Sequence, residues 1–302
     1  MSDQFDDSEG WEKFEYSAAD GLRLAGRKYG WRHNKALPVI CLAGLTRNSA
    51  DFHPLALHLS REAAVPRRVL CLDYRGRGMS DHDKDWEKYN IFTEAADVLA
   101  AADALGIGKA ITIGTSRGGL VTYVLAATRP GLLAGAVLND IGPEIDPQGL
   151  VRIRNYVGGA ESFPNWSEAT NAVRSYGKAH FTKWDDDEWR RQARLIYAEK
   201  DGRIVKRYDQ NLTKTLKSLN LDNPIPPMWP QFAGLKNIPL MAIRGENSDL
   251  LSAETLRSMH DAHPGMQSIV VESQGHAPDL ATPGIPPAIA RFATQVDSGA
   301  VH

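Results

Sequence analysis

Cysteine is scarce. The chain has two in 302 residues, Cys41 and Cys71, too few for a disulfide framework and without the paired spacing that holds zinc. Each lies in an apolar run, Val39-Ile40-Cys41-Leu42 and Val69-Leu70-Cys71-Leu72, so both are read as small buried thiols. An excess of one charge is also missing. With 35 Lys and Arg against 37 Asp and Glu, the formal net charge is −2 and no basic run occurs, which removes the electrostatic grounds for a nucleic-acid partner or an anionic membrane surface. No window approaches the roughly 18 uninterrupted apolar residues of a membrane-spanning helix. Residues 1–7 are acidic and polar and lack the basic and apolar regions of a secretory signal, so a soluble, cytoplasmic protein is expected. No Walker loop, zinc spacing, internal repeat or low-complexity segment is found, and neither a metal nor an organic cofactor is implied.

What the chain does have is a rhythm. Apolar runs recur at residues 38–42, 69–72, 110–113, 135–138, 239–243 and 268–271. They are continuous rather than alternating, as in parallel strands covered on both faces. Between them, residues 50–64, 91–105, 119–129, 252–262 and 286–296 space their apolar positions at three and four, the helical period. Strands alternating with helices predict an α/β fold: a mostly parallel sheet of about eight strands with helices on both faces. A hairpin over residues 11–17 and 22–29, turning at Ala19-Asp20-Gly21, is expected to start the sheet.

The rhythm breaks after Asp140. Residues 143–234 show helical stretches at 147–157, 167–180, 186–199 and 207–219 and no convincing buried strand. The expected organisation is therefore a core of residues 1–142 and 235–302 carrying a helical cap over 143–234. The cap is rich in large aromatics, among them Trp166, Trp184 and Trp189, which are candidates for lining a pocket above the strand ends, where open α/β sheets bind ligands. The Pro-rich stretch 223–228 reads as a stiff return linker.

Gly114-Thr115-Ser116-Arg117-Gly118 separates the run Ala110-Ile111-Thr112-Ile113 from the helical stretch that begins at Leu120. A strand reversing sharply into a helix crowds its own backbone, and residues without a Cβ let Ser116 stand at the apex. The first turn of the helix points free N–H groups at the same spot. Ser116 is thus a candidate nucleophile, and a serine hydroxyl needs a base whose tautomer is fixed by an acceptor. His276 follows the last expected strand directly and is the candidate base. Asp249, beyond the strand ending at Ile243, is the candidate acid, with Asp140 at the end of the preceding strand as the alternative. The oxyanion donors are expected to be the backbone N–H groups of Arg117 and Leu45, the latter in the loop Ala43-Gly44-Leu45-Thr46. The side chains of Arg117 and Arg47 could offer a cationic site to a substrate carboxylate or pair with internal acids.

These motifs, together with Asp73-Tyr74-Arg75-Gly76-Arg77-Gly78-Met79-Ser80, occur in an order that resembles the α/β-hydrolase superfamily over nearly the whole chain. The resemblance implies a Ser, His, Asp hydrolase working through an acyl-enzyme under a helical cap, most similar to bacterial small-molecule esterases and enol-lactonases. It implies a structural rather than catalytic role for residues 73–80. A serine at residue 116 sets aside the dehalogenase and epoxide-hydrolase branches, which use aspartate there. Hydrolysis of a carbon–carbon bond is the alternative reaction, and a ligand-binding protein without turnover the alternative class. The expected partner is a small-molecule substrate, on a monomer or homodimer.

Overall fold

The computed structural model describes residues 9–217 and 226–300. Residues 1–7, the expected linker at 223–225, the end of the expected helix 207–219, and His302 lie outside the described residues.

Among the described residues eight strands form one sheet: β1 (Glu12–Ser17), β2 (Arg23–Tyr29), β3 (Val39–Leu42), β4 (Val69–Asp73), β5 (Ala110–Thr115), β6 (Leu133–Asn139), β10 (Leu240–Gly245) and β11 (Gln267–Val271). A second, three-stranded sheet contains β7 (Ser162–Phe163), β8 (Tyr197–Lys200) and β9 (Arg203–Lys206). The large sheet runs in the order β1-β2-β4-β3-β5-β6-β10-β11. β1 and β2 form the expected antiparallel hairpin, β2 pairs antiparallel with β4, and every other pairing is parallel.

The period of two divides each central strand between two cores. Ile40, Leu42, Leu70 and Leu72 point to one face, while Val39, Cys41, Val69 and Cys71 point to the other. Cys41 and Cys71 stand opposite each other across β3 and β4 as free, buried thiols, and burial pushes the Cys41 thiol well up from its usual range. The chain leaves β3 for β4 on one side and later returns to place β5 on the other. The loops after β3 and β5 therefore diverge at a topological switch point, and the crevice between them is where the site forms.

The expected helix at 50–64 is broken into a 3₁₀ turn (Ser49–Phe52), a short α-helix (His53–Leu57) and a π turn (His58–Glu62). Pro54 sits at the start of the short α-helix, the position that tolerates a residue without an N–H. Between β6 and β10 the insertion carries helices Pro147–Val157, Trp166–Gly177, Asp186–Ile196, Leu212–Lys217 and Trp229–Ala233. It is not all helical, and the expected helix 186–199 stops at Ile196. From there β8 and β9 form a hairpin whose turn, Asp201-Gly202, has φ of 51° and 71°. Asp-Gly at such a turn is the preferred hairpin chemistry. Among the described residues no helix is long and apolar enough to cross a membrane.

Candidate active site

β5 ends at Thr115, and Ser116 takes φ 51° and ψ −113° before the helix Arg117–Thr128 begins. A non-glycine residue in that region is strained and persists only where its surroundings enforce it. Here the enforcement is close packing. A Cβ on Gly114 would lie 2.5 Å from the Gly118 carbonyl group, and one on Gly118 would lie 2.0 Å from the Leu42 carbonyl oxygen. The helix consequently starts against the end of β3, and the Ser116 N–H is held by the Asn139 carbonyl at 2.9 Å.

His276 arrives from the loop after β11. Its Nε2 lies 2.8 Å from Ser116 Oγ, and its Nδ1 lies 2.8 Å from Asp140 Oδ2. An ionised carboxylate only accepts, so the ring proton belongs on Nδ1, which leaves Nε2 free to accept the serine proton. The Asp140 side chain is wholly buried and that of His276 is 7% exposed. Asp140 also receives the Gly245 N–H at 2.8 Å and the Ser248 hydroxyl at 2.6 Å. Ser248 in turn accepts the N–H groups of Leu250 and Leu251.

This corrects the expectation for Asp249. Its carboxylate accepts two hydrogen bonds from Arg152, at 2.6 and 2.8 Å, on the insertion helix Pro147–Val157. Gly149 lets that helix approach, since a Cβ there would fall 2.6 Å from the Asp249 carbonyl oxygen. The turn after β10 uses Gly245 and Ser248 to hold Asp140, which directs the next residue toward the insertion. Burial raises the Asp249 carboxyl, but the hydrogen bonds and charge of Arg152, with smaller contributions from His180 and His276, hold it below the usual range.

A cavity of about 190 Å³ opens above Ser116 and His276. Phe52, Tyr156, Tyr176, Phe181, Trp184 and Trp189 supply much of its apolar wall, and Arg47, Asp51, Arg152, Gln192 and Asp279 its polar part. Leu45 lines it too, and its N–H meets no acceptor among the described residues. The N–H of Arg117, at the first helical position, has no intrahelical acceptor.

The tryptophan candidates divide. Trp184 and Trp189 line the cavity, their rings packed at 4.8 Å edge to face. Trp166 does not. It packs beside Ala169, Tyr197 and Ile204 with the Arg194 guanidinium 4.7 Å above its ring, so it belongs to the insertion's own small core. The two arginines also divide. The Arg117 guanidinium does not line the cavity but is held by Glu94 and by the Tyr89 carbonyl. Arg47 does line it, with Nε and Nη2 on Asp51 and Nη2 also on Gln192. Arg152, Gln192 and the positioning hydroxyl of Ser248 are site residues that no local sequence signal marks, because their partners lie about a hundred or more positions away along the chain.

A family model described as alpha/beta hydrolase fold matches residues 38–278. The chain is 28% identical to a 3-hydroxybutyrate-oligomer hydrolase of Cupriavidus necator, over 86% of this chain and 89% of the relative. It is 27% identical to a 2-(acetamidomethylene)succinate hydrolase of Mesorhizobium japonicum, over 80% and 82%. The crystal structure of an alpha/beta hydrolase from Novosphingobium aromaticivorans superposes with a TM-score of 0.87 at 40% identity, covering 94% of this chain and 98% of that one.

Proposed function

Because the chain belongs to the α/β-hydrolase fold family, we propose that it is a serine hydrolase that cleaves a small carboxylic ester or lactone through an acyl-enzyme on Ser116. The observation that carries this reading is the unbroken line from Ser116 Oγ through His276 to Asp140, each step 2.8 Å, at the floor of the cavity.

In the reaction, Ser116 Oγ attacks the carbonyl carbon while His276 Nε2 takes its proton. Asp140 keeps the imidazole in the accepting tautomer and stabilises the imidazolium that forms. The N–H groups of Leu45 and Arg117 receive the oxyanion. Such preorganised donors are each worth about 10²–10³ in rate where they have been removed from serine hydrolases. The tetrahedral intermediate collapses, His276 returns the proton to the leaving oxygen, and an acyl group remains on Ser116. Water, deprotonated by His276, attacks that ester and releases the acid. The insertion serves as a cap that closes aromatic rings over the acyl group and excludes bulk water.

Size supports a compact substrate. A cavity of about 190 Å³ lined by Trp184, Trp189 and Tyr176 suits a small acyl group. The two relatives are named as hydrolases of 3-hydroxybutyrate oligomers and of 2-(acetamidomethylene)succinate, both built from carboxylic acids.

The test is turnover of short p-nitrophenyl esters and small lactones by wild type beside Ser116→Ala. The expected result is activity confined to wild type that falls as the acyl chain lengthens from acetate to octanoate. Equal turnover by Ser116→Ala contradicts the assignment, and a preference for octanoate contradicts the compact pocket.

A further inference from the structure

The proposed oxyanion hole draws its two donors from segments 72 positions apart in sequence, Leu45 after β3 and Arg117 after β5. Their side chains and carbonyls lead to one place. Arg77, in the segment Asp73-Tyr74-Arg75-Gly76-Arg77-Gly78-Met79-Ser80, donates from Nε to the Leu45 carbonyl at 2.8 Å. The same guanidinium places Nη1 2.9 Å from Glu94 Oε1. From the other side, Arg117 donates from Nε to Glu94 Oε2 at 2.6 Å and from Nη2 to Oε1 at 3.1 Å. Glu94 is wholly buried on the helix Ile91–Ala104, and Arg77 is wholly buried as well. One carboxylate therefore spans two guanidinium groups, one gripping the residue that carries the first donor and the other belonging to the residue that carries the second.

We infer that Glu94 is a positioning residue that fixes the spacing of the two oxyanion donors, acting on Leu45 through Arg77 and on Arg117 directly. The inference rests on the serine-hydrolase reading above and extends it to a residue outside the cavity. Its physical basis is rigidity. An oxyanion hole stabilises the transition state only if its donors already stand where the charge develops, and a loop such as 43–46 has no ladder of its own to hold it. Glu94 accepts charge-assisted hydrogen bonds from the planar Arg117 fork and forms an ion pair with Arg77, whose Nη1 also donates to the Arg75 carbonyl at 2.7 Å. Burial keeps water from competing for those bonds. The arrangement also gives the Asp73–Ser80 segment a part in catalysis at one remove.

Glu94 touches neither the substrate nor Ser116, so its loss should spare ground-state binding and weaken only interactions with the tetrahedral state. A trifluoromethyl ketone reports that state. Ser116 Oγ adds to its carbonyl carbon, the serine proton passes to His276, and the former carbonyl oxygen becomes an oxyanion in the hole.

The experiment measures kcat, KM and the inhibition constant of a short trifluoromethyl ketone for wild type, Ser116→Ala, Glu94→Gln, Arg77→Met and Arg117→Met. Glu94→Gln keeps the shape and removes the charge, and is expected to lower kcat by at least about tenfold, toward the loss seen when a donor is deleted, with KM within about twofold of wild type. The ketone should lose affinity by the same factor as kcat/KM. The two arginine variants each release one donor and should show smaller losses on the same line, which keeps the test available if Glu94→Gln does not fold. Folded variants that melt earlier but keep wild-type kcat and ketone affinity overturn the role of Glu94 and leave it a structural ion pair. Inhibition that persists unchanged in Ser116→Ala overturns the underlying serine-hydrolase reading instead.

Discussion

Two carboxylates stand near His276, and their partners separate their roles. Asp140 is closed in by Gly245, Ser248 and the imidazole, whereas Asp249 is bound to Arg152. The Arg152 pair gives a pH signature. Its depressed folded pKa means that the stability contributed by Asp249 is fully present above the unfolded value of about 3.9 and disappears as pH falls through the still lower folded value. Wild type should therefore exceed Asp249→Asn by about 2 kcal/mol in denaturant unfolding between pH 6 and 8, the scale of hydrogen bonds to a charged group. The difference should shrink below about pH 4. A difference that stays constant down to pH 3 contradicts the assignment of the pair. The meeting of Ser116 with His276 was legible in the sequence because each sits in a local pattern, glycines around the first and a strand end before the second. The choice between Asp140 and Asp249 was not. Both follow strands at the same edge of the sheet, and what distinguishes them is a hydroxyl at residue 248 and a guanidinium at residue 152, which meet them only in the folded chain.

At the scale of elements, the turn from β5 into the helix Arg117–Thr128 is held by contacts that admit no side chain. Gly118→Ala places a methyl group 2.0 Å from the Leu42 carbonyl oxygen, an overlap of two backbones that rotamer changes cannot relieve. The expected cost is about 1–3 kcal/mol for overpacking, seen as a lower melting temperature. A fall in kcat of at least about tenfold should accompany it, because reaction geometry tolerates displacements well below 1 Å. Wild-type kcat and melting temperature in Gly118→Ala would contradict the packing account. The large sheet was readable because its central strands are buried on both faces and stand out as apolar runs. The small sheet of the insertion was not, although Asp201-Gly202 marks its turn. Strands of two and four residues with exposed Glu199, Lys200 and Arg203 present no such run. The same difficulty applies to Trp166. Its helix carries aromatic residues toward both the cavity and the insertion's own core, and composition does not tell which ring faces which.

For the molecule as a whole, the switch point between β3 and β5 brings the Leu45 loop beside Ser116, and the loops after β6, β10 and β11 deliver Asp140, its supports and His276 to the same edge. The insertion is tied down over that edge. Asn48 Nδ2 donates to the Leu195 carbonyl at 3.0 Å, Asn247 Nδ2 to the His180 carbonyl at 2.9 Å, and the Thr182 N–H to the Ser273 carbonyl at 3.0 Å. Two ion pairs, Arg152 with Asp249 and Arg191 with Asp279, add charge to these contacts. The cavity is thus lined from both parts, by Leu45, Arg47 and Phe52 of the core and by Tyr156, Trp184 and Trp189 of the insertion. Activation of Ser116 through His276 by Asp140, as proposed, does not depend on which substrate enters the cavity. Its most direct measurement is the rate of labelling by a fluorophosphonate, followed by intact mass and located by peptide mapping. A single adduct on Ser116 is expected, formed up to about 10⁴-fold more slowly by Asp140→Asn, the loss in turnover when a triad aspartate is replaced by asparagine elsewhere, and at nearly the wild-type rate by Asp249→Asn. Labelling that survives Ser116→Ala, or that slows in Asp249→Asn but not in Asp140→Asn, would contradict it.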